Sequence, residues 1–184
     1  MPSYPRFSPD EGQVITGFSA EVILMSKEDL PDALGHLVAR AEKTKEGPES
    51  WNPPDCGSID MLIDREGRWF YQGSLIRRPA LVRLFAGLLR REESGRYVLV
   101  NPVEKVGIQV EDVPFVAVDM RWERDQGQAL LRIGTSLGDW VVADQDHPLT
   151  VSVSGAQEGF IPYILIRQGL KARFSRTLAL DLLL

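Results

Sequence analysis

Apolar residues near the middle of the chain change from a strand-like to a helix-like period. Residues 58–63 and 68–72 are short runs rich in β-branched and aromatic side chains, and the four turn residues between them predict a β-hairpin. Behind Pro79, leucines and a phenylalanine recur at helical spacing, and proline is favoured in the first turn of a helix. The pattern predicts a strand-turn-strand-helix unit whose helix ends at Gly95.

The same order of elements recurs at the end of the chain. Residues 162–166 and 170–174 predict a second hairpin, and leucines at helical spacing after Ser175 predict a terminal helix. Short apolar runs bounded by turn residues fill the region between the two units, as is typical of antiparallel strands. These runs are residues 97–100, 106–110, 115–122, 129–133, 140–143 and 149–153.

The predicted fold class is therefore α+β, with two small subdomains that repeat the strand-turn-strand-helix unit, an antiparallel meander sheet and a cleft between the subdomains. Residues 51–105 form the predicted N-terminal subdomain and residues 106–184 the C-terminal one. Residues 1–50 are predicted to be a poorly ordered extension that carries a docking helix at about 27–43.

A helix-start pattern follows Met25 directly, because Ser26 is followed three residues later by Asp29. The native start is therefore either Met1 or Met25, and the second choice makes residues 1–24 an upstream extension.

Composition narrows the class of protein. The chain has 184 residues and a formal net charge of −5, which argues against binding to a nucleic acid polymer or to a membrane surface. No run approaches the roughly 20 apolar residues of a membrane helix, and the N-terminus lacks the pattern of a signal peptide. The single cysteine, Cys56, excludes an intrachain disulfide. We expect a cytoplasmic protein, and the sequence does not predict its oligomeric state.

No recognisable catalytic, metal or cofactor motif occurs. The sequence lacks the serine-hydrolase elbow, the P-loop and the dinucleotide fingerprint, so we predict no catalytic residue, metal or cofactor. A small hydrolase using Glu104, Asp112 and His147 stays open as an alternative if these groups converge in one pocket. In the other interpretation, Glu104 and Asp112 are solvated charges at strand ends, and His147 is a histidine in a turn.

Arginines lie beside both predicted helix starts. Arg77 precedes the first helix, and Arg173 precedes the second. Arginine suits phosphate or carboxylate, although such residues also pair with surface acids. A third class of function is a protein-protein interaction module that uses a strand edge or the leucine-rich segment 178–184.

Ordered blocks across residues 51–184 carry a resemblance to a known family. They are Trp51-Asn52-Pro53-Pro54, Ile59-Asp60-Met61, Gly67-Arg68-Trp69-Phe70-Tyr71, Gly73-Ser74, Pro102-Val103-Glu104-Lys105-Val106, Glu111-Asp112-Val113-Pro114-Phe115, His147-Pro148-Leu149 and Arg167-Gln168-Gly169-Leu170-Lys171-Ala172-Arg173. In these blocks the chain resembles the uncharacterised bacterial family called domain of unknown function 1285. Leu75 departs from the proline that the family carries after Gly-Ser.

The resemblance implies a two-domain α+β fold with a repeated motif, and a cleft that holds a nucleotide-like ligand in a signalling setting. With the doubled unit and the arginines, it leads us to expect a non-enzymatic ligand-binding or regulatory protein for a small anionic ligand. Six ligand-binding residues are predicted. Arg77, Arg167 and Arg173 are expected to bind the anion, and Lys105, His147 and Tyr163 are expected to line the site.

Overall fold

The computed structural model describes residues 34–35, 47–154 and 159–183. Leu34 and Gly35 are helical, and the side chain of Leu34 is buried. The rest of the docking helix predicted at 27–43 lies outside the described residues, as do the extension before it and Met25.

Residues 55–110 form a six-stranded sheet with one helix. The elements are β1 (Asp55–Ile63), β2 (Trp69–Tyr71), β3 (Ser74–Leu75), α1 (Pro79–Leu88), β4 (Leu89–Arg91), β5 (Tyr97–Val100) and β6 (Lys105–Val110). The strands have the order β3-β2-β1-β6-β5-β4 in the sheet. Strand β6, which the sequence-based division split between the two subdomains, belongs to this first sheet.

The second half forms another six-stranded sheet. The elements are β7 (Phe115–Asp125), β8 (Gln128–Thr135), β9 (Trp140–Val142), β10 (Leu149–Ser154), β11 (Gly159–Arg167), β12 (Leu170–Phe174) and α2 (Arg176–Asp181). The strands have the order β10-β11-β12-β7-β8-β9 in this sheet.

The two sheets have the same topology. If six is subtracted from each strand number of the second sheet, its order becomes β4-β5-β6-β1-β2-β3. This is the order of the first sheet read from the opposite edge. In both sheets the first and sixth strands pair in parallel and the other neighbours pair antiparallel. The repeated unit is therefore the whole sheet, larger than the predicted strand-turn-strand-helix unit. The two predicted units do exist, but they occupy different positions in this duplication.

The α+β assignment is only partly right, because the described residues are mostly β. Helix α1 ends at Leu88, not at Gly95, and the chain continues directly into strand β4. Gly95 instead closes the turn between β4 and β5, with φ of 87° and an N–H bond of 2.8 Å to the carbonyl of Glu92. The second helix has only six residues.

In three hairpins the loop between the strands is a glutamine-glycine pair. In Gln72-Gly73, Gln126-Gly127 and Gln168-Gly169 both residues have positive φ, and the flanking residues pair across a two-residue loop. Two positive φ angles match the right-handed twist of the strands, and glycine adopts one of them without steric cost. These pairs therefore set the register of their hairpins.

Buried apolar side chains from both halves form one continuous core. Trp69 and Phe85 stack with ring centroids 6.3 Å apart, and both are buried. In the second half, Phe115, Ile133 and Ile164 are equally inaccessible. No helix within the described ranges is long and apolar enough to cross a membrane.

Candidate functional site

A cavity of about 710 Å³ lies where the two halves meet. The first half contributes Arg65 and Glu66 from the turn between β1 and β2, while β7, β11, β12 and α2 contribute the other walls. Ligand sites commonly occur between domains, with volumes of roughly 300–1,000 Å³. This cavity is our candidate functional site, and we call it the cleft.

Short-range hydrogen bonds fix the rim that carries Arg65. The buried Asp64 accepts bonds from the backbone N–H of Glu66 at 3.0 Å and of Arg68 at 2.8 Å. The backbone N–H of Arg65 donates to the carboxylate of Glu111 at 3.1 Å. The turn is thereby held in one conformation at the edge of the cleft.

The opposite wall is positioned by a capped helix. Ser175 is the N-cap of α2, and its hydroxyl oxygen accepts the N–H of Leu178 at 3.3 Å. A serine cap satisfies a backbone donor that the helix itself leaves unpaired. It holds Arg176 and the residues after it against the cleft.

The charged side chains of the cleft are mostly cationic. Arg65, Arg173 and Arg176 line it together with a single acid, Glu66. The carboxylate of Glu66 lies 3.4 Å from the guanidinium of Arg68, which bonds Asp64 more closely, at 2.7 Å. The cleft can therefore attract an anion.

Arg173 belongs to the cleft and to a polar contact between the halves. Its guanidinium lies 3.6 Å from the carboxylate of Asp112, and both side chains are about three-quarters buried, with 28% and 25% exposed. The hydroxyl of Tyr163 donates to the same carboxylate at 3.0 Å. Tyr163 and Arg173 are register partners on β11 and β12, so the ladder places them side by side.

The remaining lining is largely apolar. Val116, Phe160, Ala179, Leu180 and Leu183 all face the cleft. Leu180 and Leu183 are each 60% exposed and Phe160 is 37% exposed. These three side chains give this part of the cleft an apolar surface that is open to solvent.

The structure brings together two of the six predicted ligand-binding residues, Tyr163 and Arg173, and places the other four elsewhere. Lys105 lies at the start of β6, where its ammonium bonds Glu92 at 2.6 Å. Asp112, which contacts Arg173, follows the other end of that strand, roughly 20 Å away for an extended segment of this length. Lys105 therefore does not share a site with Arg173.

Arg77 and Arg167 lie at opposite ends of α1. Arg77 is exposed and lies just before the helix. The guanidinium of Arg167 donates to the carbonyl of Ala86 in the last turn of α1, and it lies over the ring of Phe115, 5.9 Å from the ring centroid. Burial lowers the pKa of Arg167 below its usual range, and Asp139 and Glu49 partly oppose that shift. Ten helical residues, about 15 Å, separate the two arginines.

His147 lies in the turn before β10 and binds the backbone. Its Nδ1–H donates to the carbonyl of Leu165 at 3.0 Å, which fixes the tautomer. It is on the β10 side of β11, whereas Arg173 is on the β12 side.

The acids named for the hydrolase alternative do not form a pair. Glu104 precedes β6 and contacts Asn101 at 3.3 Å, while Asp112 follows that strand. Two carboxylates roughly 20 Å apart cannot act as an acid-base dyad on one bond. Cys56 is exposed, and no three His, Cys, Asp or Glu residues of the described ranges are grouped to hold a metal ion.

Sequence reasoning missed Arg65 as a site residue, and it named the leucine-rich segment 178–184 as a surface for a protein partner instead of as a wall of the ligand site. Arg65 is one charged residue in a polar turn, and nothing in its local pattern separates it from an ordinary solvated arginine. Leu180 and Leu183 look like core positions of an amphipathic helix, and only the tertiary fold leaves them exposed at the cleft.

Comparisons with known proteins bear on the whole of this region. Residues 48–113 match the model described as "Domain of unknown function (DUF1285), N-terminal domain", and residues 114–183 match "Protein of unknown function (DUF1285), C-terminal domain". The boundary between the models coincides with the connection between the two sheets. No protein with a curated description matches the chain.

Two solved structures are similar to this one. A DUF1285 family protein from Silicibacter pomeroyi DSS-3 is 42% identical, with a TM-score of 0.74 over 84% of each chain. One from Shewanella baltica OS155 is 28% identical, with a TM-score of 0.53 over 67% of this chain and 89% of that chain. The family models and the first of these structures together establish that the chain belongs to the DUF1285 family.

Proposed function

We propose that this protein is a cytoplasmic, non-enzymatic ligand-binding or regulatory protein that takes a small anionic ligand in the cleft between its two domains. The observation that carries the proposal is the group of three arginines in one cavity whose lining includes a single acid, Glu66. Guanidinium groups bind carboxylate and phosphate through paired N–H donors, which a lysine cannot match. A nucleotide-like anion in signal transduction is the version that the family resemblance implies.

Arg173 gives this binding a regulatory consequence. Its contact with Asp112 is an ion pair at 3.6 Å, which is beyond ordinary hydrogen-bond distance. The guanidinium can therefore still donate hydrogen bonds to an anion that approaches more closely. An anion in the cleft competes with Asp112 for Arg173, while Tyr163 continues to hold Asp112. Ligand binding would thus change a contact that joins the N-terminal and C-terminal domains.

The experiment is a thermal-unfolding screen of the full chain against nucleotides, inorganic phosphate and simple carboxylates. A ligand at 100 times its Kd adds about 2.7 kcal/mol to the stability of the folded state, which is a readily measured rise in Tm. We expect at least one anion to raise the Tm, and the rise to shrink at high salt.

Arg173→Gln and Arg176→Gln test the location of the anion. Both are expected to reduce the ligand-induced rise in Tm, and Arg176 is exposed, so its replacement leaves the fold intact. Arg124→Gln, on the exposed end of β7, is the matched control and should change nothing. No response to any anion, or a response equal in all three variants, would contradict the proposal.

A further inference from the structure

We infer that the ligand of the cleft is a single-chain amphipathic anion, with a carboxylate or phosphate head on an aliphatic tail. The inference rests on the proposed anion site and adds the chemical class of the rest of the molecule. Its basis is the division of the cleft into a cationic part and an apolar part that lie end to end along α2.

The face of α2 toward the cleft changes character along its length. Arg176, Ala179, Leu180 and Leu183 have the spacing of one helical face, and all four line the cavity. The guanidinium is at the beginning of this row and the leucines follow it over roughly 10 Å. A ligand with its charge on Arg176 would therefore lay the rest of its length on hydrocarbon.

Several of the large apolar side chains that are exposed in the described residues lie together in the cleft. Nine large apolar residues are exposed in the described part of the chain, and three of them, Phe160, Leu180 and Leu183, line this one cavity. Leaving such surface in water costs free energy that an aliphatic tail would recover. The occupant therefore carries apolar surface as well as charge.

The same lining offers little to a nucleoside. Among the described residues of the cleft, the one uncharged polar side chain is Ser175, whose hydroxyl oxygen already caps α2. Along the apolar wall, a base or a sugar would lose hydrogen bonds to water and find no polar side chain to replace them, which is costly. Of the two aromatic rings in the lining, Phe174 is buried and only Phe160 presents an exposed face. These features favour an aliphatic tail over a nucleobase.

Calorimetric titration of the full chain with butanoate, hexanoate, octanoate and decanoate, each below its micelle concentration, tests the inference. We expect affinity to rise up to about fourfold for each added methylene, until the tail outgrows the apolar wall. Alkyl phosphates of the same lengths should give the same slope, because the head and the tail bind different parts of the cleft.

Variants separate the two ends of the ligand. Leu180→Ser and Leu183→Ser should flatten the dependence on chain length, and the second lies just beyond α2, so it does not disturb the helix. Arg176→Gln should lower the affinity for every chain length by about tenfold and leave the slope unchanged. Val103→Ser, at an exposed apolar residue outside the cleft, is the control and should match the unmodified protein.

The outcomes distinguish this inference from the proposed function. Binding of nucleotides or phosphate with no gain from longer tails would overturn the amphiphile and leave the anion site standing. Absence of binding to every anion would remove both. Binding only to vesicles that contain anionic lipid would also overturn the inference, since the protein would then recognise a bilayer surface instead of a monomeric amphiphile.

Discussion

Gly67 packs so closely against Val116 that a methyl group added to the glycine would lie 2.8 Å from the valine Cγ2. Gly67 lies in the turn between β1 and β2, and Val116 is in β7, so the contact joins the two domains. Gly67 also has a φ of 74°, which L-residues rarely adopt.

We expect Gly67→Ala to lower the free energy of unfolding by about 2–4 kcal/mol, as the sum of backbone strain and overpacking. Gly73→Ala is the matched control, because Gly73 has a φ of 72° and open space where its Cβ would be. The control should lose only the strain, about 1 kcal/mol. Equal losses in urea denaturation would show that the contact with Val116 carries no weight.

Tyr163→Phe removes the hydroxyl that bonds Asp112 at 3.0 Å and leaves the ring in place. We expect a loss of about 1 kcal/mol of stability, the usual net value of one such hydrogen bond. Tyr71→Phe is the comparison, since the Tyr71 hydroxyl accepts only a 3.5 Å bond from the exposed Gln72. If chemical denaturation gives the same midpoint for Tyr163→Phe as for Tyr71→Phe, the link from Asp112 to Tyr163 does not stabilise the fold.

Arg167→Met keeps most of the aliphatic length of the side chain and removes the donor to the carbonyl of Ala86. That carbonyl also accepts the N–H of Leu89, so it is not left bare, and we expect a loss of about 1–2 kcal/mol. Arg124→Met, on the exposed hairpin, should stay within about 0.5 kcal/mol of the unmodified protein. Equilibrium unfolding followed by tryptophan fluorescence measures both variants. If Arg167→Met leaves the free energy of unfolding unchanged, the desolvation of the guanidinium cancels the stabilisation by its hydrogen bond.

Asp55 should make stability depend on acid pH. Hydrogen bonds from Arg96 and from the backbone N–H of Gly57 hold the pKa of Asp55 below its ordinary value of 3.8. Because the folded value is the lower one, the stabilisation is present above the unfolded pKa and disappears as pH falls through the folded pKa. Unmodified protein should therefore be more stable than Asp55→Asn at neutral pH, and the difference should vanish in strong acid.

Denaturation curves taken across that pH range measure the difference, with Asp125→Asn at the exposed end of β7 as the control. A stability difference that stays constant down to the lowest pH would contradict the role of the Asp55–Arg96 pair.

Local sequence patterns predicted most strands because their signals are local. The run 170–174 is a strand with those same bounds, and Ser175 begins the terminal helix as its cap. The parallel pairing of β1 with β6 was not predictable in this way, since about 50 residues separate the partners and no period of two or 3.6 records it. The predicted end of the first helix at Gly95 was wrong for a related reason. Pairing with β5 overrides the helical preference of Leu89 and of the arginines after it.

The site was harder to predict than the fold. Arg77, Arg167 and Arg173 were predicted to bind one anion, yet the structure distributes Arg77 and Arg167 over the two ends of α1 and brings Arg65 to the cleft of Arg173 from a distant turn. Which arginines meet depends on how two sheets pack, and a single sequence carries no direct signal for that. The arginine before α2 was recognisable from its neighbourhood, whereas its partner across the cleft was not.

The duplicated topology also affects how the chain folds. In the described structure every partner of a first-sheet strand comes from residues 55–110, so backbone pairing of that sheet can finish before the later strands leave the ribosome. Its side chains cannot finish packing so early, because Phe115, Ile133 and Ile164 complete the shared interior. During synthesis the nascent N-terminal domain therefore displays an uncovered apolar face, and that interval is when the protein is most exposed to aggregation or to capture by a chaperone.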